Sequence, residues 1–129
     1  MTHQFKTALV VGGNGGVGSE AIISLLSQGY FVYGTFRENS DRLKEISKVS
    51  PHKEKFKYMQ LDCTSLDDVK NGVREILNSN GNLDVIILSI SEEYVNIRIF
   101  DLEWANISSH INSQVKSLYN LYKALNQRR

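Results

Sequence analysis

An apolar run that breaks into a cluster of glycines constrains this chain most. Thr7-Ala-Leu-Val-Val-Gly-Gly-Asn-Gly-Gly-Val-Gly18 is followed at once by Ser-Glu-Ala-Ile-Ile-Ser-Leu-Leu. The order is strand, tight turn, helix N-terminus. The glycines fall as Gly13-x-Gly15-x-x-Gly18 and as Gly12-x-x-x-Gly16-x-Gly18. Such spacing serves three ends: a sharp exit from the strand, close backbone approach to a pyrophosphate, and tight packing of helix on strand. The free N–H groups and positive dipole end of the helix then face phosphate. Gly12, Gly13, Asn14, Gly15, Gly16, Val17 and Gly18 are therefore the expected nucleotide-binding turn. The alternative is a flexible Gly/Asn loop, which the strand-loop-helix context argues against.

The rest of the chain repeats the alternation. Phe5 to Val11 reads as the first strand and Gly16 to Gln28 as the first helix, stopped by Gly29. Tyr30 to Phe36 is a second strand, and Asp41 to Lys48 a short helix with Leu43 and Ile46 inward. A loop marked by Pro51 leads to a third strand, Phe56 to Leu61. Ser65-x-x-Asp68 has the form of a helix cap before Leu66, Val69, Val73, Ile76 and Leu77, and Asn80-Gly-Asn ends that helix. Leu83 to Ile90 is almost continuously apolar, as a strand covered on both faces should be. Residues 91–100 read as an irregular connection. Asp101 is the expected cap of a last helix to Asn126, its inward stripe being Trp104, Ile107, Ile111, Val115, Leu118, Leu121 and Leu125.

Four βα units with short connections predict an α/β fold: a three-layer, Rossmann-type, doubly wound parallel sheet of strand order 3-2-1-4 over residues 1–129. Ligand is expected beyond the carboxyl ends of the first and fourth strands. Hydrophobic residues form 41% of the 129, enough for a core. A net charge of +1 without a basic stripe argues against nucleic acid, and no segment has the roughly 18 apolar residues of a membrane span. The single Cys63 excludes an internal disulfide. Met1 to Lys6 has no apolar signal core, so the cytoplasm is the expected compartment. His3, His52 and His110 show no metal spacing.

These residues resemble the short-chain dehydrogenase/reductase family. Val10-Val-Gly-Gly-Asn-Gly-Gly-Val-Gly18 resembles its Thr-Gly-x-x-x-Gly-x-Gly turn, with Val11 in place of the threonine. Leu61-Asp62 resembles the pair whose aspartate meets the adenine edge, and Leu83-Asp-Val-Ile-Ile-Leu resembles the fourth strand. Trp104 and Asn112 resemble the family's Trp…Asn helix with one residue inserted between them. The resemblance implies a nicotinamide cofactor in contact with Asp62 and Cys63, and Asn112 bridging to an active-site water. Asp62 as a strand-end turn residue, Cys63 as a small buried residue and Asn112 as an ordinary helix position are the alternatives. Leu88-Ser-Ile-Ser91 replaces the usual Asn-Asn-Ala-Gly, leaving Ser89 and Ser91 to meet the nicotinamide ribose.

Family members are roughly twice as long, in keeping with a full doubly wound sheet. Their serine and Tyr-x-x-x-Lys acid/base pair follow the fourth unit, and are expected on sequence beyond these residues. Tyr119-Asn-Leu-Tyr-Lys123 has the same spacing, which puts both side chains on one helix face, where Lys123 could lower the Tyr119 pKa. The family register instead makes this an amphipathic helix with a coincidental spacing. Arg37, just past the second strand, replaces the carboxylate that holds an unphosphorylated ribose, so NADP(H) is expected rather than NAD(H). Glu38 opposes this, and a solvated surface charge is the alternative for Arg37.

The leading expectation is the cofactor-binding half of an NADP-dependent oxidoreductase acting on a carbonyl or alcohol. The second is a non-catalytic NADP(H)-binding or interaction module. The edge of Ile86, Ile87 and Leu88 would make it a homo-oligomer or pair it with a partner completing the sheet. A sugar-nucleotide epimerase also fits Gly12-x-x-Gly15-x-x-Gly18.

Overall fold

A computed structural model describes residues 5–89 and 99–126. Four strands, β1 (Thr7–Val11), β2 (Phe31–Phe36), β3 (Phe56–Gln60) and β4 (Val85–Leu88), form one parallel sheet of order β3-β2-β1-β4. The helices are α1 (Gly16–Ser27), α2 (Asp41–Val49), α3 (Leu66–Asn80), α4 (Trp104–Ile111) and α5 (Ser117–Asn126), and a π-helical turn, Asn112–Lys116, joins the last two. The expected alternation and strand order are as found. Two strands are shorter than expected: β1 starts at Thr7, and β4 spans Val85–Leu88, Ile90 lying outside the described residues. Ahead of β4, the Asp84 carboxylate accepts the Thr7 N–H at 2.8 Å and the Asp84 N–H donates to the Thr7 carbonyl, which sets the register.

β1 lies at the centre because all five of its residues can be buried. Its side chains alternate by the two-residue period of a strand. Ala8 and Val10 join Ile22, Leu26, Leu43 and Phe56 beneath α1 and α2. Leu9 and Val11 join Leu61, Val69, Val73, Ile76 and Leu121 beneath α3 and α5. Those are the three layers. A polar network closes the amino ends of the strands: the Tyr33 hydroxyl donates to Asn80 at 2.7 Å, and the Asn80 amide donates to Thr7. The carboxyl ends carry the turns and the open cleft.

Helix ends follow the expected chemistry at two places. Gly29 stands just past α1 with φ +93°, a left-handed conformation that glycine adopts at little cost. The Ser65 hydroxyl accepts the Asp68 N–H at 3.3 Å and caps α3. Asp101, the expected cap, ends a separate 3-10 turn, Ile99–Asp101, ahead of α4. The chain enters α4 at Glu103, whose N–H donates to the Asn106 side chain at 2.8 Å in the manner of a capping box.

The last helical stretch departs furthest from expectation. It is not one regular helix, and of its expected apolar stripe only Leu121 and Leu125 face the core. Trp104, Ile107, Ile111, Val115 and Leu118 are exposed, and α4 buries no residue. The inward face is Ser113, Ser117, Asn120, Leu121 and Ala124. The π-helical turn accommodates one residue beyond the α-helical repeat and shifts the faces on either side of it. Small serines also let the helix approach the end of β3. There the Asn120 side-chain amide, fully buried, donates to the Cys63 carbonyl at 2.8 Å. Asn120→Ala leaves that carbonyl unpaired in the interior, and should cost about 1–3 kcal/mol of stability in urea unfolding.

Candidate functional site

The glycine turn is built almost wholly from backbone. Gly12 leaves β1 with φ +83°, which requires glycine or strain. The Gly13 N–H donates to the Thr35 carbonyl at 2.9 Å, and the Gly12 N–H donates to the Thr35 hydroxyl. The turn is thereby tied to the end of β2. A side-chain carbon on Gly18 would fall on the Gly12 carbonyl and 2.9 Å from the Gly13 α-carbon. A carbon on Gly13 would meet Ile22 at 2.7 Å. At Gly16 nothing lies within 4 Å, and at Gly15 only the Gly12 carbonyl at 3.7 Å. Gly18 thus fills space that no side chain could share, whereas a carbon at Gly13 would have to displace the ends of Ile22 and Leu43. Two others, with exposed Val17, leave an open approach to the first turn of α1.

Asn14 has a role the sequence did not reveal. Its side-chain oxygen accepts the N–H groups of Arg42 at 2.9 Å and Leu43 at 3.3 Å, capping α2 from 28 residues away. Arg42 in turn places a guanidinium N–H 3.1 Å from the Ser19 hydroxyl, which donates to the Gly16 carbonyl.

Beside the turn lies a cleft of about 190 Å³ across the ends of β1, β2 and β3. Gly12, Arg37, Asp62, Cys63, Thr64 and Ser117 are among its lining residues, so four of the expected site residues come together. The Asp62 carboxylate accepts the Thr64 hydroxyl at 2.6 Å and the Thr64 N–H at 3.0 Å. The hydroxyl bond chiefly holds its pKa below the usual carboxylate value, with Arg37 and Lys116 adding to the effect. Asp62 is therefore an ionised acceptor at neutral pH. Its own N–H donates to Asp68 at 2.7 Å, which orients the strand end. Burial, with the carboxylates of Asp62 and Asp68 adding to it, pushes the Cys63 thiol up to about 12. Cys63 is thus a neutral, buried wall residue.

Ser89 follows β4 and is half-buried, its N–H on the Val11 carbonyl at 2.8 Å, across β1 from β2 and β3. Ser91 and the side chain of Asn112 lie outside the described residues. Tyr119 is exposed and does not line the cleft, although the Lys123 ammonium sits 6.0 Å from its ring centre. The helical spacing is real, but this pair and the cleft-lining Ser113 and Ser117 are on different faces of the helical stretch. Thr35, Thr64, Ser113 and Ser117 were not singled out from the sequence. Only their proximity to the turn in space marks them.

A family model described as short chain dehydrogenase matches residues 6–128. The 3-oxoacyl-(acyl-carrier-protein) reductase FabG of Haemophilus influenzae is 29% identical over 125 residues, covering 95% of this chain and 49% of that protein. The reductase of the same name from Buchnera aphidicola is 31% identical over 109 residues, covering 83% and 43%. The chain spans about half the length of the curated relatives it matches. Among solved structures, ElxO with NADP bound has a TM-score of 0.86 at 22% identity, over 97% of this chain and 50% of that one. A short-chain dehydrogenase/reductase from Serratia marcescens gives 0.81 at 21%, over 95% and 50%. At such identities these structures show a common fold.

The turn's geometry separates two substitutions that look alike in sequence. Gly18→Ala should lose about 1–3 kcal/mol through overpacking, whereas Gly16→Ala should stay within about 0.5 kcal/mol of the parent. Thermal melts of the two variants check this.

Proposed function

Because this chain belongs to the short chain dehydrogenase family, we propose that it forms the NADP(H)-binding portion of an oxidoreductase acting on a carbonyl or alcohol. One observation carries the reading: an open glycine turn at a helix N-terminus, flanked by a cleft that holds both Arg37 and Asp62. The residues fit the dinucleotide. The open backbone at Gly15 and Gly16 admits a pyrophosphate to the α1 N-terminus. Asp62 is a fixed anionic acceptor for the adenine edge, and Arg37 offers paired donors to a 2′-phosphate. Ser89 stands on the β4 side, where the nicotinamide ribose would lie. The bound cofactor supplies hydride transfer at its nicotinamide ring. The family's serine, tyrosine and lysine belong, in this proposal, to polypeptide beyond these 129 residues. Asn112 remains the position for a water-bridging role. The cytoplasm is the matching compartment, and among the described residues no helix is long and apolar enough to cross a membrane.

A second reading, as an interaction module, is favoured by the outward face of α4 and α5. Trp104, Ile107, Ile111, Val115, Leu118 and Tyr122 are all exposed there. Among the described residues no strand pairs with the outer edge of β4. The six positions are spaced nearly symmetrically about Ser113. Two copies packed antiparallel would pair Trp104 with Tyr122, Ile107 with Leu118 and Ile111 with Val115, and bring Glu103 opposite Lys123. Such a self-complementary patch suits a two-fold interface.

Calorimetric titration with NADPH and NADH tests the first reading. Tight NADPH binding and weaker NADH binding are expected, and binding of neither would overturn it. Light scattering tests the second. The parent should be dimeric and the Ile111→Glu/Val115→Glu variant monomeric, and a parent that stays monomeric at high concentration contradicts it.

A further inference from the structure

We propose that Arg42 is a second reader of the cofactor's 2′-phosphate, held beside the glycine turn on α2 while Arg37 stands just past β2. This rests on the reading that the turn holds NADP(H). Arg42 is tied to the turn at both ends. Its backbone N–H donates to Asn14 at 2.9 Å, and its guanidinium donates to the Ser19 hydroxyl at 3.1 Å. Ser19 is itself buried and bonded to Gly16, so the anchor is rigid. A long side chain on the first turn of a short exposed helix would ordinarily be free in solvent. Here it is laid against the start of α1, where Gly15 and Gly16 leave the backbone open.

Placement determines which phosphate it meets. β2 and the α2 that follows it lie on the β3 side of β1, away from β4. With the pyrophosphate at the α1 N-terminus, that side receives the adenosine ribose, since Arg37 and Asp62 line the cleft there. Of the five N–H donors of a guanidinium, one is committed to Ser19, which leaves enough for a bidentate grip on phosphate oxygens. Arg42 has no carboxylate partner among the described residues. Its charge also answers a difficulty at Arg37, whose neighbour Glu38 repels a phosphate dianion. A second guanidinium there offsets the charge of that carboxylate.

The test is calorimetric binding of NADPH, NADH, 2′,5′-ADP and 5′-AMP to the parent, Arg42→Gln, Arg42→Lys and Arg37→Gln. Arg42→Gln should weaken NADPH and 2′,5′-ADP about ten-fold, the scale of one lost charge-assisted contact. NADH and 5′-AMP should stay within about two-fold. Arg42→Lys should recover part of the loss because it keeps the charge without the fork. An unchanged ratio of NADPH to NADH affinity in Arg42→Gln overturns the assignment. That holds whether neither ligand weakens or both weaken equally, the latter being what a purely structural Arg42–Ser19 tie would give. If the parent binds both nucleotides tightly, such a result removes Arg42 alone. If the parent binds neither, the cofactor reading fails and the role of Arg42 with it.

Discussion

Gly18 rests its backbone on the Gly12 carbonyl with no room for a carbon between them. That contact joins the end of the central strand to the start of α1, and the rest of the molecule is arranged about it. It holds when Gly12 turns with positive φ and when Thr35 receives the freed amides of Gly12 and Gly13. The same turn positions Asn14, whose side chain caps α2. One short segment therefore sets the relation of β1, β2, α1 and α2. The apolar contacts of Val10, Ile22 and Leu43 then stabilise that relation but do not define it.

Much of this was legible in the sequence because its signals are local. Gly12 to Gly18 declare a turn within one strand and one helix, and Ser65-x-x-Asp68 declares a cap within four residues. The continuous apolar run at Val85–Leu88 reads as a strand on its own. The side-chain partners of Asn14 and Asn120 were not legible, since they lie 28 and 57 residues away. Asp62 was found by its place at a strand end. Thr64, which keeps it ionised, has no pattern of its own.

The last helical stretch misled for a different reason. Apolar periodicity says that a stripe will be covered, but not which surface covers it. Here small and polar residues hold the inner face because a carbonyl at Cys63 needed a donor and a cleft needed a thin wall. The apolar residues from Trp104 to Leu118 were left outward, and the π-helical turn keeps the two faces distinct along the length. Tyr119 and Lys123 share a helix face as the spacing requires, yet that face is away from the cleft. Spacing can bring two groups together without bringing them to a site.

The site itself divides by material. In the proposed NADP(H) reading its phosphate-facing part is backbone, so its shape depends on the conformations of Gly12 to Gly18 and is indifferent to which nucleotide carries the pyrophosphate. Its discriminating part in that reading is side chain: Arg37 past β2, Arg42 on α2 and Asp62 past β3. These stand at strand and helix ends, where a substitution changes charge without disturbing the buried layers. General affinity and specificity for the base and ribose are thus carried by different atoms. The first is tied to the fold at Gly18, whose contact with Gly12 also joins β1 to α1, while the second can change one residue at a time.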